Sequence, residues 1–264
     1  MLEDELLTLH QSCQGHQDVG VEPQRTLLLF GNIGPIVIIC PQAPGSVVGP
    51  LADKTNINYT KLHNYADLDA LIELFGHVRA LNPERDVLHC LPSDIRKGEL
   101  QNHLILIGGI GWNSTARQIQ ILLAQLKRLP IEQVEVDELE TGEVFRVKGS
   151  ENYEEKVYFP TTDKTNGTVE LVEDHAFLAR LRNPFNSSRT LTIFSGVHSR
   201  GVIGAVLALT DKTLGPGNQE YVAQRFSEEE EFALLVKVAI VSGEAQAPDF
   251  WNPDMRLFEW PTRE

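Results

Sequence analysis

The chain has 264 residues, 42% of them hydrophobic, which is enough for a core in one large domain or two small ones. Its formal net charge of −14 argues against a nucleic-acid surface, because phosphate contacts need clustered lysine and arginine. Three cysteines are too few for a disulfide framework. The acidic amino terminus does not resemble a secretory signal, and no apolar run reaches the ~18 residues of a membrane span. We therefore expect a cytoplasmic protein.

The first 30 residues are predicted to form a helical appendage and a linker, followed by a single domain over residues 31–264. His10, Cys13 and His16 follow one another at three-residue spacing near the end of the predicted helix. Two helical turns would bring such side chains together as metal ligands, but a zinc site needs a fourth ligand, for which the sequence shows no source. We therefore predict no metal site.

The domain begins with an uninterrupted β-branched run over residues 36–40, which predicts a central parallel strand buried on both faces. The clearest helix covers residues 64–78, where apolar residues follow the i, i+3, i+4 spacing. Asp67 precedes this helix and is predicted to be its N-cap. A short strand over residues 86–91 comes next.

Residues 103–107 predict another buried strand, which leads through a glycine turn into a helix that ends near Arg128. From residue 131 to residue 172 the pattern changes to alternating apolar and polar residues around an Asn166-Gly167 turn. This pattern predicts an antiparallel hairpin that is inserted into the main sheet or added at its edge.

The order of strand, glycine and helix then occurs a second time, with the strand over residues 191–194 and the helix over residues 199–210. An acidic helix over residues 218–231 and a last long strand over residues 232–241 follow. The aromatic tail is predicted to be irregular but packed on the body of the protein. Two strand–glycine–helix units predict an α/β fold, a Rossmann-like and mainly parallel sheet flanked by helices.

The first glycine turn has the residue types of an anion site. Glycines allow a ligand to approach the backbone, and the helix start presents free N–H groups. The turn has neither the third glycine of a dinucleotide-binding motif nor the Gly-Lys-Ser/Thr of a P-loop. The predicted ligand-binding residues here are Gly108, Gly109, Gly111, Trp112, Asn113 and Ser114.

The second loop adds an imidazole and a guanidinium. His198 is predicted to act as an acid or base, and Arg200 to hold a phosphate or carboxylate through two parallel hydrogen bonds. The nucleophile elbow of serine hydrolases is absent, since Ile193 stands two residues before Ser195. The predicted ligand-binding residues here are Ser195, Gly196, His198, Ser199 and Arg200.

Five segments together, residues 65–74, 106–113, 183–186, 196–201 and 256–261, resemble an uncharacterised Rossmann-like bacterial domain. In actinobacterial proteins that domain often follows a helix-turn-helix segment, for which the first 29 residues are too short, so direct DNA binding is not expected. The resemblance implies no established activity. More distantly, the layout is similar to Rossmann-like sensors and nucleotide-processing effectors of bacterial conflict systems, an analogy of fold that does not fix function.

Three functions fit these observations. The first is a sensor that binds a nucleotide or related anionic metabolite and thereby alters a protein partner or a homo-oligomer, in bacterial regulation or defence. The second is an enzyme that cleaves an N-glycosidic bond with an acidic residue. The third is an interaction scaffold without a ligand. The acidic candidates for the second function are Asp67, Asp69, Glu73 and Asp94. No cofactor is identified by the sequence.

Overall fold

A computed structural model describes residues 26–31, 34–136, 143–149, 154–165, 168–226 and 231–261. The helices in these ranges are α1 (Leu68–Leu81), α2 (Ser114–Gln125), α3 (Ser199–Thr210) and α4 (Gly215–Arg225). The strands are β1 (Ile36–Ile39), β2 (Val87–Cys90), β3 (His103–Ile107), β4 (Ile131–Glu135), β5 (Glu143–Val147), β6 (Lys156–Tyr158), β7 (Thr161–Thr165), β8 (Thr168–Asn183), β9 (Asn186–Gly196), β10 (Phe232–Val241), β11 (Glu244–Ala245) and β12 (Arg256–Trp260).

The main sheet is mixed. Its strand order is β11-β10-β8-β9-β3-β1-β2, with β12 also paired to β10 and β7 to β8. Only β2, β1, β3 and β9 pair in parallel; the other half of the sheet is antiparallel. The prediction of a Rossmann-like, mainly parallel sheet is therefore wrong.

A tight hairpin is the physical reason for the difference. Asn183 at the end of β8 pairs with Asn186 at the start of β9, so only Pro184 and Phe185 lie between the two strands. A parallel pair needs a crossover of about a dozen residues or more, whereas a two-residue turn joins only antiparallel strands. The turn-rich segment was visible in the sequence, but the strands on either side of it were not recognised as a pair.

The two faces of the sheet carry different layers. Along β1, Ile36 and Ile38 belong to a core that also contains residues of α1, α3 and α4, whereas Val37 and Ile39 pack with α2. This alternation follows from the period of two in a strand, and all four side chains are buried. The prediction of a strand buried on both faces is thus confirmed for residues 36–39.

A second, three-stranded antiparallel sheet has the order β4-β5-β6. Phe145 and Tyr158 from this sheet pack against Phe177 of β8 and Leu235 of β10, on the face that also carries α2. The 131–172 segment predicted to be one hairpin insertion is thus divided, since β7 and the start of β8 belong to the main sheet. Residues 166 and 167, the predicted turn, lie outside the described residues.

Several predicted elements are confirmed with their bounds, among them β3, α3 and β10. Helix α4 begins at Gly215, earlier than predicted, and it ends at Arg225. The tail is not irregular, because residues 256–260 form β12 and pair with β10. Among the described residues, no helix is long and apolar enough to cross a membrane. Residues 1–25, with the predicted amino-terminal helix and its three metal-ligand candidates, lie outside the described part of the chain.

Candidate functional site

A cleft of about 490 Å³ lies at the carboxyl ends of β1, β3 and β9, beside the two loops in which the sequence predicts ligand-binding residues. Strand β1 leads into Pro41, β3 into the first glycine turn and β9 into the second loop. The cleft is lined by Pro41, Asp67, Gly109, Trp112, Glu143, Gly196, Val197, His198, Ser199, Arg200 and Val202.

Asp67 occupies the N-cap position of α1 but does not cap it. Its backbone is left-handed, with φ 49° and ψ 41°, and its side chain makes no capping hydrogen bond, so that part of the prediction is wrong. The carboxylate instead lies against the first turn: a Cβ built on Gly108 would be 2.9 Å from Asp67 Oδ2. Gly108 itself has φ +80°, a conformation that favours glycine.

The environment of Asp67 is unfavourable for a carboxylate. Burial raises the pKa of Asp67, a hydrogen bond to the Ser199 side chain opposes this rise, and the charge of Asp69 adds to it. Asp67 Oδ1 is buried and has no hydrogen-bond partner among the described residues. A left-handed backbone is uncommon outside glycine, although aspartate and asparagine adopt it more readily than other residues, and such conformations cluster at binding and catalytic sites.

Glu143, the first residue of β5, covers the first glycine turn. Its carboxylate accepts hydrogen bonds from the backbone N–H groups of Ile110 and Gly111. A Cβ on Gly111 would overlap Glu143 Oε1, and one on Gly109 would lie 2.6 Å from Glu143 Oε2. Two backbone N–H groups of the first glycine turn therefore already face a carboxylate of the chain itself.

Burial raises the pKa of Glu143 to about 7. Arg117 on α2 and the two N–H donors favour the charged form and oppose this rise, while Glu135 adds to it. Glu135 is the register partner of Glu143 on β4 and is ion-paired with Arg117. Glu143 therefore changes its protonation near neutral pH.

The second loop is organised by Asp174 of β8. Asp174 Oδ2 accepts from the backbone N–H groups of His198 at 3.1 Å and Gly201 at 2.6 Å, and Oδ1 accepts from the N–H of His175 at 2.8 Å. Asp174 is fully buried, and burial raises its pKa to about 7 against the effect of these three donors. It thus supplies the cap that α3 does not obtain from its own N-cap residue, His198.

Gln133 of β4 joins the two glycine regions. Its Nε2 donates to Gly196 O at 3.0 Å, and its Oε1 accepts from Ser195 Oγ at 3.1 Å. A Cβ on Gly109 would lie 2.6 Å from Gln133 Nε2. The small sheet therefore takes part in the site, because β4 fixes the second loop and β5 provides Glu143.

Of the predicted ligand-binding residues in the two loops, some line the cleft and the others have structural roles. Gly108 and Gly111 shape the turn, and Ser114 is exposed at the start of α2. Asn113 is fully buried and caps α2 through Ala116 N, while its Nδ2 donates to Ile39 O and Ile107 O. Ser195 points toward Gln133. The predicted residues that line the cleft are Gly109, Trp112, Gly196, His198, Ser199 and Arg200.

Burial lowers the pKa of His198. The imidazole therefore carries less charge near neutral pH than an exposed histidine, which suits proton transfer better than anion binding. Trp112 lines the cleft and is half-exposed, with 50% of its surface accessible, so part of its side chain can contact a ligand.

Of the acidic residues considered for catalysis, only Asp67 lines the cleft. Asp69 is exposed on α1. Glu73 lies 3.5 Å from His77 Nδ1, and Asp94 forms an ion pair with Lys61 at 3.0 Å. Within the described residues, no group of three or more histidine, cysteine, aspartate or glutamate side chains is arranged to hold a metal ion.

Glu143, Asp174 and Gln133 were missed by the sequence reasoning. Asp174 carried a signal, since an acidic residue directly before an apolar strand segment must find hydrogen-bond donors when it is buried. Glu143 and Gln133 carried none, because their position at the site depends on how the small sheet packs over the turn.

No protein-family model matches the chain, and a search of the curated proteins finds no significant match. The resemblance to the bacterial domain described above therefore stays a prediction, and the function is inferred from the geometry of the cleft.

Proposed function

We propose that the cleft binds a nucleotide or a related anionic metabolite, and that the protein is a cytoplasmic sensor whose partner or assembly responds to that ligand. The observation that carries this proposal is the environment of Asp67 in the cleft. Its backbone is left-handed, its side chain does not cap α1, and its buried Oδ1 has no partner among the described residues. A ligand hydroxyl or amino group that donates to Oδ1 would compensate a buried acceptor that otherwise costs about 1–3 kcal/mol.

The other residues of the cleft support a ligand with both polar and aromatic parts. Arg200 provides a guanidinium that binds a phosphate or carboxylate through two hydrogen bonds. The half-exposed ring of Trp112 provides a stacking surface for a base. Ribose hydroxyls are the donors that suit Asp67. A nucleotide combines these three features.

Thermal melting against a panel of purine and pyrimidine nucleotides tests this proposal. A ligand present at 100 times its dissociation constant stabilises the native protein by about 2.7 kcal/mol, which raises the melting temperature by several degrees. Asp67→Asn keeps the size and the left-handed conformation but removes one acceptor, so it should weaken binding about tenfold. Asp69→Asn removes a nearby exposed carboxylate and should leave binding unchanged.

Hydrolysis of an N-glycosidic bond is the second candidate, and Glu143 favours it. Two carboxyl groups with raised pKa values, Asp67 and Glu143, face one cleft. In such a reaction water attacks the anomeric carbon, the bond to the base breaks, one carboxylate accepts the proton of the water, and the other group protonates the departing base. Chromatography of each mixture for free base separates the two functions: consumption of the ligand, abolished in Glu143→Gln, indicates the enzyme.

An unchanged melting temperature and no product across the whole panel would contradict both functions. That result would leave the third function, an interaction scaffold in which the glycine turns are structural.

A further inference from the structure

We propose that Glu143 is an internal competitor for the ligand: its carboxylate occupies the N–H groups of Ile110 and Gly111, and the anionic group of an incoming ligand replaces it there. This inference rests on the proposed function, because it concerns the same cleft. The backbone N–H groups of Ile110 and Gly111 are a second anion-binding point beside Arg200. This point becomes available to a ligand only when the Glu143 carboxylate leaves it.

The geometry shows how closely the carboxylate is fitted to the turn. It accepts from two successive N–H groups, and its two oxygens lie so near Gly109 and Gly111 that a Cβ on either residue would collide with them. Successive N–H groups of this kind bind carboxylate and phosphate oxygens alike. The donors are therefore suited to an oxyanion, and the chain itself provides one.

The contact of Glu143 with these N–H groups can be exchanged because a side chain makes it, not the backbone. Glu143 lines the open cleft and is partly accessible, so the cleft adjoins its side chain and offers space into which the carboxylate can turn. Burial raises the pKa of Glu143 to about 7, so a substantial fraction of this carboxyl group is protonated at neutral pH. Protonation weakens its hold further, because a neutral acceptor makes weaker hydrogen bonds than a carboxylate.

Several charged groups face Glu143 from the surrounding elements. Arg117 on α2 attracts its carboxylate, and Glu135 on β4 repels it. Asp67, His198 and Arg200 share the cleft. Because Asp67 and His198 also change charge with pH, a pH effect belongs to Glu143 only if it disappears when Glu143 is replaced.

Sulfate is the appropriate probe, since its charge is constant between pH 6 and pH 8.5 and it is not a nucleotide. It is titrated into the wild-type protein, Glu143→Gln and Glu135→Gln, with the backbone amide signals of Ile110 and Gly111 followed by NMR. At pH 8.5 we expect Glu143→Gln to bind sulfate at these amides at least about tenfold more tightly than the wild type, because the variant lacks the charged competitor, and charged acceptors make stronger hydrogen bonds than neutral ones.

At pH 6 the wild type should approach the affinity of Glu143→Gln, whose own affinity should change little with pH. The control Glu135→Gln removes a charge from the register partner of Glu143 without emptying the N–H groups, so it should change binding much less. An equal gain in both variants would show a general effect of charge and would overturn the proposal. Equal affinity of wild type and Glu143→Gln would also overturn it.

The outcomes for the Glu143 competitor and for nucleotide binding can be told apart. If sulfate behaves as expected but no nucleotide binds, the competitor is supported and the nucleotide proposal fails. If nucleotides bind but neither they nor sulfate move the Ile110 and Gly111 signals, the ligand site is supported and the competitor is contradicted.

Discussion

The two glycine regions at the edge of the sheet have the same arrangement of a carboxylate and backbone N–H groups, but the two carboxylates differ in burial. In both, a carboxylate from another strand accepts from backbone N–H groups between a strand and a helix: Glu143 at the first turn and Asp174 at the second loop. Asp174 is fully buried on a central strand, bonds three N–H groups and does not line the cleft. Glu143 bonds two such groups and faces the cleft.

The difference shows why an N–H cluster at a strand–helix junction is weak grounds for a ligand site by itself. Where a carboxylate is enclosed, it completes the fold, because no ligand can reach the donors it satisfies. Where it lies at the wall of an open cleft, its place is accessible to another anion. Asp174 is therefore assigned a structural role, and Glu143 a role in ligand binding.

The largest effect is expected from replacing the enclosed carboxylate. Asp174→Ala leaves three N–H groups without this acceptor, and two of them, those of His175 and Gly201, are buried. Because each buried N–H group without an acceptor costs about 1–3 kcal/mol, the free energy of unfolding should fall by at least about 2 kcal/mol. Glu143→Gln retains an oxygen acceptor beside the turn and should cost less than about 1 kcal/mol. Urea unfolding measures both, and equal losses would remove the distinction between the two regions.

Two glycine substitutions test the same contrast at the backbone. A Cβ on Gly201 would collide with the carbonyl oxygen of His175, which cannot move, whereas a Cβ on Gly111 meets the end of the Glu143 side chain, which can. Gly201→Ala should destabilise the protein by about 1–3 kcal/mol, the usual cost of overpacking, and Gly111→Ala by less than about 1 kcal/mol. The reverse order in urea unfolding would mean that Glu143 is as rigidly held as the second loop.

The sequence allowed the two loops that border the cleft to be predicted, but not the most informative residues of the cleft. The runs at residues 36–39 and 103–107 are so apolar that buried parallel strands were the natural expectation, and the loops that follow such strands meet at one edge. The antiparallel half of the sheet was missed because the residues before the Pro184-Phe185 turn were not recognised as a strand that pairs with the strand after it. Glu143 was missed because its alternating strand resembles any surface hairpin.

Asp67 shows a different limit of the sequence. An aspartate directly before an amphipathic helix predicts a cap, and the position is confirmed. The left-handed backbone and the turn of its carboxylate toward Gly108 depend on tertiary contacts that a local pattern does not contain.

A smaller effect on stability is expected when Asp67 is replaced. Because Asp67→Asn removes a carboxylate that burial disfavours and retains a residue type that tolerates the left-handed region, it should leave stability unchanged or raise it by up to about 1 kcal/mol. Nucleotide affinity should fall at the same time. Calorimetric titration and thermal unfolding of this variant, compared with Asp69→Asn, give both values. Loss of stability without loss of affinity would indicate a structural role for Asp67.

The smallest effect is the dependence of stability on pH. The pKa of Glu143 is raised from 4.5 to about 7 in the folded protein, so between these values the folded state binds more protons than the unfolded state. Stability from this group is then fully present below about pH 4.5 and is lost as the pH rises through about 7. The melting temperature of the wild type should decline more over this window than that of Glu143→Gln. Parallel curves for the two proteins would show that Glu143 has an ordinary pKa.

The most direct measurement is an NMR titration of the uniformly labelled protein with the nucleotide panel. We expect at least one nucleotide to shift the signals of both walls of the cleft together: the backbone of Gly109, the indole of Trp112, and the backbones of Ser199 and Arg200. Saturable shifts confined to another surface, or no shifts with any nucleotide, would contradict the assignment of this cleft as the ligand site.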